Sequence, residues 1–192
     1  HQEHLNRHQI INQLDSIAQL KIRQIHQWRA ERLGDAQVLV DAPFVAAMVD
    51  QWLASPQPQQ TADLVAWFGT LKKNYQYSDI LLLDPEGRAR LSLSGNQEPL
   101  HQEAQAILAE AVARRKAMLS DLHRVGHHAP HQDVLSPLFV QEGDHQRWIG
   151  TILLRIDANT FLYPMLQSWP VASTTGETLL VRRDGEQLLF LN

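Results

Sequence analysis

A histidine-rich run carries the residue types best suited to holding a metal ion. It contains four of the chain's ten histidines, followed by one acidic residue: His123, His127, His128, His131 and Asp133. Imidazole nitrogens and carboxylate oxygens are suitable ligands for zinc and other divalent ions. Gly126 and Pro130 interrupt the run and predict a loop, which by itself fixes no ligand geometry. Two interpretations follow: a metal site that uses these four histidines, or a solvated loop that binds metal only adventitiously.

Asp121 and Arg90 are charged residues that could recognise a small polar molecule. Asp121 lies between Leu119 and Leu122 in a predicted strand, where a partly buried carboxylate needs a charged or hydrogen-bonding partner. That partner is either a ligand or one of three arginines of the chain: Arg90, Arg114 or Arg124. Asp121 suits an ammonium group, whereas the planar fork of Arg90 matches a carboxylate.

The sequence carries no catalytic signature. It contains no G-x-S-x-G elbow, no phosphate-binding glycine-rich loop and no H-E-x-x-H pair. Ser120, Asp121 and His123 are the residue types of a catalytic triad, but side chains along one strand alternate between opposite faces and cannot converge. We therefore expect a chain that is not an enzyme and needs no cofactor.

Composition describes a globular protein and limits its partners. The 192 residues are 44% hydrophobic and 20% charged, which is enough apolar material for a core. A net charge of −4, without a cluster of basic residues, gives no attraction to nucleic acid. The absence of cysteine excludes disulfides and thiolate metal sites. No apolar run reaches the ~18 residues of a membrane span, and because the sequence starts without Met in a polar helical segment, we expect a piece of a longer protein.

Hydrophobic periodicity predicts an α+β fold. One long helix is predicted from Leu5 to Leu33, with an apolar stripe wide enough either for packing within the chain or for added contact with a second copy. Further helices are predicted over 35–55, from Thr61 to Tyr75 and over 99–116. Strands are predicted over 80–83, 89–93, 118–123, 134–140 and 148–156. They would form one five-stranded antiparallel sheet flanked by helices.

A strand-turn-strand phrase occurs twice in the chain. DILLLDPEGRARLSL, residues 79–93, returns as ETLLVRRDGEQLLFL, residues 177–191, and the turn glycines Gly87 and Gly185 are 98 positions apart (185 minus 87). This spacing is the size of a small domain, although two hairpins can also look alike by chance. No further strands follow the second hairpin in this sequence, so we interpret it as the opening of a second module.

Taken together, these segments resemble the Cache sensor domains, the PAS-like extracytoplasmic sensors of bacterial membrane receptors, in their double form (dCache). The resemblance rests on the leading helix, the hairpin YQYSDILLLDPEGRARLS, the strands LSDLHR, DVLSPLFV and WIGTILLRIDANTFLYP, and the junction LQSWPVASTTGETLLVRRDGEQLLFLN. The junction is similar to the passage between the membrane-distal and membrane-proximal modules of sensors in histidine kinases and diguanylate cyclases. The implied parts are a leading helix (1–34), a distal module (35–168), and a linker with the first hairpin of a proximal module (169–192).

The resemblance implies a periplasmic ligand-sensing domain that signals through its leading helix within a homodimer. The parent receptor would be anchored in the inner membrane, with a kinase or GGDEF cyclase output outside this chain. The pocket positions carried over from the family are Trp67, Tyr75, Tyr77, Arg90, Asp121 and His123. The Arg-x-Trp-Tyr pattern of amino-acid-binding members is absent after the helix ending in ARRKAMLSDLH, so the expected ligand class is broad: an amino acid, an amine or an organic acid.

Two other functions are compatible with the sequence. A structural dimerisation domain would keep a vestigial pocket and bind no ligand. A divalent-metal sensor would use the loop from His123 to His131. Because a ligand that binds only the folded state raises its stability, the three hypotheses predict different responses to organic molecules and to metals.

Overall fold

The chain folds into a long helix, a five-stranded antiparallel sheet flanked by helices, and a separate two-stranded hairpin, which confirms the predicted α+β class. The structure is a computed structural model that describes residues 2–95, 99–124, 129–170 and 176–191. The helices are α1 (Gln2–Val40), α2 (Pro43–Ala54), α3 (Pro58–Tyr75), α4 (Gln102–Arg114) and α5 (Leu162–Gln167). The strands are β1 (Asp79–Leu83), β2 (Ala89–Ser92), β3 (Met118–Leu119), β4 (His131–Glu142), β5 (His145–Asp157), β6 (Val181–Asp184) and β7 (Gln187–Phe190).

The main sheet has the strand order β2-β1-β5-β4-β3. β1 is buried at every position between β2 and β5, as its uninterrupted apolar run predicts for an interior strand. β4 and β5 are longer than predicted, because the polar segment between them forms a tight turn at Gly143 and Asp144. Gly143 has φ of 59°, the left-handed conformation that such hairpin turns require.

Helices cover both faces of this sheet. α4 packs its apolar side on one face, where Ala104, Leu108 and Ala111 meet Leu135 and Leu153. α2, α3 and the last turns of α1 pack on the opposite face, where the Ser136 hydroxyl donates to the carbonyl oxygen of Ala36 at 3.2 Å. Successive side chains along β4, and likewise along β5, therefore point to opposite faces of the sheet, which are covered by different helices.

Two helix boundaries differ from the sequence prediction. α1 continues through Gly34 to Val40, since a single glycine costs a helix only about 1 kcal/mol and Ala36 and Leu39 are buried beyond it. α3 begins at Pro58 rather than after Thr61, because proline is well suited to the first helical position. Thr61 instead accepts a hydrogen bond from the Trp52 indole at 2.8 Å.

The chain divides into two compact units. One comprises Glu31–Ala158 and contains the five-stranded sheet with α2, α3 and α4. The other comprises His1–Ala30 together with Asn159–Asn192 and contains α5 and the β6–β7 hairpin. Within this second unit Trp28 stacks on Phe161, with 5.2 Å between ring centroids and 13° between ring planes. The predicted boundaries at residues 34 and 168 stay predictions. Among the described residues, no helix combines the length and apolarity that crossing a bilayer requires.

Candidate functional site

A buried polar cluster lies on the face of the sheet that α4 covers. It consists of three histidines and one ion pair: His101, His123, His131, Asp133 and Arg155. His131 and Asp133 are alternate residues of β4 and point to the same face. Arg155 lies directly opposite Asp133 on β5. His101 is the N-cap residue of α4, so the cluster joins a helix end to the sheet.

Asp133 is the anion at the centre of the polar cluster. It is fully buried, and Arg155 donates two hydrogen bonds to it, from Nε to Oδ1 at 2.9 Å and from a terminal guanidinium nitrogen to Oδ2 at 3.2 Å. The Nε2 atoms of His101 and His123 lie 3.8 and 3.7 Å from Oδ2. Burial by itself would raise the pKa of Asp133, but His101, His123 and Arg155 around the carboxylate hold it well below its usual value.

Backbone carbonyls fix the tautomer of two imidazoles in the cluster. Nδ1 of His123 lies 2.8 Å from the carbonyl oxygen of Asp121, and Nδ1 of His131 lies 2.9 Å from that of Ala129. A carbonyl oxygen only accepts, so each Nδ1 carries a hydrogen and the Nε2 of the neutral ring presents a lone pair. Burial lowers the pKa of His131, which favours this neutral ring. Both Nε2 atoms are buried, and neither has a hydrogen-bond partner among the described residues.

A register slip brings His123 into the cluster. Leu119 pairs with Val134, whereas His123 pairs with His131, so the β3 side contains one extra residue between these two pairs. An extra residue of this kind reverses the face to which the following side chains point. Without the slip, strict alternation would place His123 on the face away from Asp133. The predicted strand over 118–123 is therefore regular only at Met118–Leu119.

A second candidate site, the aromatic cavity, lies on the opposite face of the sheet. It has a volume of about 270 Å³ and is lined by three of the predicted pocket residues, Trp67, Tyr75 and Tyr77. Its floor contains Val45, Tyr77 and Leu154, all of which are buried. The exposed side chains of Val38 and Phe44 line its opening. The cavity thus has an apolar interior and an accessible rim.

Tyr77 contributes a buried polar group to the wall of the aromatic cavity. The residue is 4% exposed, and its hydroxyl has no hydrogen-bond partner among the described residues. Burial raises the pKa of Tyr77 to about 12, although the nearby Arg32 opposes this effect. A buried hydroxyl without a hydrogen-bond partner costs free energy.

The other predicted site residues lie elsewhere. Arg90 is on the edge strand β2, where its guanidinium lies 3.7 Å from Asp84 and is partly exposed. Asp121 is exposed rather than partly buried as expected, because it follows the end of β3 at the register slip. His127 and His128 lie outside the described residues. Three of the six predicted positions therefore meet in the aromatic cavity, whereas His123, Arg90 and Asp121 lie elsewhere, and the roles of all six in ligand binding remain predictions.

Two cluster residues, His101 and Arg155, were not predicted as site residues. His101 is 22 positions before His123 in the sequence, and only the packing of α4 on the sheet brings it close. A signal was present for Arg155, since a charged residue in an otherwise apolar strand needs a buried partner. The alternation of His131 and Asp133 along one strand was a similar signal.

A wider groove of about 740 Å³ lies between α4 and the turn that joins β1 to β2. Its walls include Leu100, Leu108 and Trp148. None of the predicted site residues lines it.

Known structures show which fold this is, although sequence comparison does not. Neither the models of known protein families nor the curated protein sequences contain a match to the chain. By structure, the chain is similar to the ligand-binding domain of the Pseudomonas fluorescens chemoreceptor CtaA in complex with L-serine, with a TM-score of 0.58 and 12% identity. That likeness covers 95% of this chain and 72% of the chemoreceptor domain.

Two further structures have the same fold. One is the extracellular domain of a protein described as a histidine kinase, with a TM-score of 0.60 and 13% identity over 82% of this chain and 61% of that one. The other is the sensory domain of the Campylobacter jejuni chemoreceptor Tlp3 with isoleucine bound, with a TM-score of 0.57 and 9% identity over 87% of this chain and 66% of that one. The chain therefore has the fold of extracellular sensory domains, as its resemblance to Cache sensors predicts.

Proposed function

We propose that this chain is the extracytoplasmic ligand-sensing domain of a membrane receptor, and that its ligand is a small polar molecule bound in the aromatic cavity. The observation that carries the proposal is the cavity of about 270 Å³ lined by Trp67, Tyr75 and Tyr77, in whose wall the Tyr77 hydroxyl is buried without a hydrogen-bond partner among the described residues. An apolar pocket with few polar groups is the usual form of a small-molecule site.

The lining of the cavity favours a ligand with an amino group. Asp35 contributes a carboxylate to the wall, which also pairs with Arg32 at 2.9 Å, and Trp67 and Tyr75 contribute aromatic rings. A carboxylate and aromatic faces both attract an ammonium group, and the apolar floor suits a hydrocarbon side chain. Two of the structurally similar chemoreceptor domains were solved with L-serine and with isoleucine. An amino acid or a small amine is therefore the first ligand class to test, before organic acids.

The position of α1 supports signalling through the leading helix. Asp35, Val38 and Leu39, which belong to the last turns of α1, line the cavity. A bound ligand would contact the helix directly and could favour one of its arrangements over another. The ligand shifts the equilibrium only by its difference in affinity for the two arrangements.

A homodimer would give the helix a partner against which to move. In α1 the side chains of Ile10, Ile11, Leu14 and Ile22 are each 47% to 56% exposed. Leu14 lies four residues after Ile10, three after Ile11 and eight before Ile22, spacings that are typical of one helix face. In the same proposal the parent receptor is held in the inner membrane and its kinase or cyclase output lies outside this chain.

The test is a thermal-shift screen of the purified chain against amino acids, amines and organic acids, with isothermal titration of every hit. A ligand at 100 times its Kd should stabilise the folded state by about 2.7 kcal/mol. We expect Tyr77→Phe to weaken binding about 10-fold, for one lost hydrogen bond, and Trp67→Ala to weaken it further. Tyr163→Phe makes the same chemical change outside the cavity lining and should leave the affinity unchanged.

The remaining predicted residues decide where the ligand lies. If Arg90→Ala or Asp121→Ala abolishes binding while Tyr77→Phe and Trp67→Ala do not, the ligand binds outside the aromatic cavity and the proposed site is wrong. A chain that binds no organic molecule in the screen would favour the structural dimerisation domain.

A further inference from the structure

We propose that His123, His131 and Asp133, with His101 as a fourth ligand, form a binding site for a divalent transition-metal ion of the zinc type. This site is separate from the aromatic cavity, because Arg155 faces the polar cluster whereas its neighbour Leu154 faces the cavity on the other side of the sheet. The inference therefore stands independently of the organic ligand.

The geometry of the donors carries the proposal. Each of the four residues offers one ligand atom, and these atoms all lie within 4.8 Å of one another. Tetrahedral zinc with bonds of 2.0–2.1 Å to nitrogen needs its ligand atoms about 3.4 Å apart. Small rotations of the side chains would close this difference. The donor set of three imidazoles and one carboxylate is one that zinc, nickel and copper prefer.

The tautomers leave the centre of the cluster rich in lone pairs. His123 and His131 each donate their Nδ1 hydrogen to a backbone carbonyl, so each neutral ring directs a bare Nε2 inwards. Those Nε2 atoms are buried without a hydrogen-bond partner among the described residues. The Nε2 of His123 faces the ionised carboxylate of Asp133 at 3.7 Å. In the neutral ring this nitrogen and the carboxylate are both acceptors, so the contact needs a proton or a metal cation between them.

The contacts outside these ligands match those of known metal sites. A metal-bound histidine almost always donates its other ring nitrogen to a carbonyl or carboxylate, as His123 and His131 do here. Arg155 fixes the orientation of the Asp133 carboxylate through two hydrogen bonds. The donor set of three imidazoles and one carboxylate selects against ions such as Ca²⁺ and Mg²⁺, which need several oxygen ligands.

His101 is the conditional ligand. Its Nδ1 accepts the amide hydrogen of Ala104 at the start of α4, at 3.5 Å. In that tautomer Nε2 carries a hydrogen and cannot bind a metal. Ligation by Nε2 would therefore exchange this long capping contact for a metal bond, so we expect His101 to contribute less to affinity than His123 or His131.

The experiment is a Zn²⁺ titration of the chelator-treated chain in competition with a chromophoric chelator. We use a His4→Ala, His8→Ala background to remove two histidines of the sequence that do not belong to the cluster and could bind zinc adventitiously. We expect one Zn²⁺ per chain with a Kd tighter than about 1 μM, as stable sites show. Mg²⁺ and Ca²⁺ should not compete.

Single variants assign the ligands. His123→Ala and His131→Ala should each weaken Zn²⁺ binding about 100-fold or more, and His101→Ala about 10-fold. His145→Ala removes an exposed histidine that lies near Glu142 and should change nothing. Melting curves in the presence of chelator confirm that each variant is folded.

Three outcomes would overturn the assignment. They are the absence of Zn²⁺ binding in this range, equal binding by wild type and His123→Ala, and loss of binding only in a His127→Ala, His128→Ala variant. These outcomes do not depend on an organic ligand in the aromatic cavity. Binding of the organic ligand is measured separately, with chelator present and with Tyr77→Phe as the test variant.

Discussion

Asp133 shows how one charged residue can be accommodated in the interior of a sheet. A carboxylate with no exposed surface costs several kcal/mol in desolvation unless partners surround it. Here Arg155 on the neighbouring strand and the imidazoles of His101 and His123 lie around it. Removing Asp133 alone would leave Arg155 without its two hydrogen bonds to the carboxylate, so single histidine variants test the cluster more cleanly.

Burial of the single residue Tyr77 makes the stability of the folded chain depend on pH. Its pKa is raised to about 12 in the folded chain, whereas an unfolded tyrosine ionises near 10. Between these values the unfolded state loses its proton and the folded state keeps it, so stability falls as the pH rises. At ~1.4 kcal/mol per pH unit the loss approaches roughly 3 kcal/mol across the window.

Urea unfolding of wild type and Tyr77→Phe from pH 9 to 11.5 measures this effect. The free energy of unfolding of wild type should decrease more steeply above pH 10 than that of the variant. Tyr75 and Tyr163 are present in both proteins and cancel in the comparison. Parallel curves would show that the Tyr77 hydroxyl is not buried in solution.

Among the elements, the pairing of β1 with β5 depends on a close backbone approach at Gly150. A Cβ added there would lie 2.6 Å from the carbonyl oxygen of Leu83, a backbone atom that cannot move without disturbing the ladder. Leu83 pairs with Thr151 in the same ladder. The glycine is therefore required for close packing of the strands.

We expect Gly150→Ala to destabilise the chain by about 1–3 kcal/mol, the usual cost of an overpacked interior. Gly69→Ala is the matched control, because a Cβ at this position in α3 meets no atom within 4 Å. That substitution should stabilise the chain by about 0.5–1 kcal/mol through helix propensity. Thermal unfolding of both variants checks the prediction, and a neutral Gly150→Ala would contradict the packing argument.

At the scale of the whole molecule, two apolar surfaces remain without a partner in the described chain. One is the stripe on α1 formed by Ile10, Ile11, Leu14 and Ile22. The other is the β6–β7 hairpin, where Leu188 and Phe190 are more than 60% exposed. An isolated two-stranded hairpin is marginally stable in water. A hairpin of this kind needs a further element to pack against. Our interpretation of it as the opening of a second module remains a prediction.

The α1 stripe predicts self-association. We expect wild type to sediment as a dimer at micromolar concentration and an Ile11→Glu, Leu14→Glu variant to sediment as a monomer, because charges on the stripe would be buried without partners. A Gln13→Glu, Gln19→Glu variant adds the same charge to exposed positions of the same helix and should remain dimeric. Analytical ultracentrifugation distinguishes the two, and a monomeric wild type would contradict the dimer.

The sequence alone determined the elements and the fold. The apolar run Ile80–Leu83 indicated an interior strand, the helical periodicity of α1 indicated one long helix, and the turn residues placed both hairpins. These features depend on residues close together in the chain, so local periodicity and turn chemistry suffice to predict them. Their order predicted the α+β architecture, and the resemblance to Cache sensors predicted the fold that the similar known structures share.

The candidate sites were decided by the tertiary structure. Strict alternation along 118–123 places His123 on the same face as Asp121, and only the register slip against β4 turns it towards Asp133. His101 reaches the cluster because α4 crosses the sheet. In both cases the contact joins residues distant in sequence. Such a contact depends on how strands and helices pair in the folded chain. Side-chain types and local spacing do not contain this information.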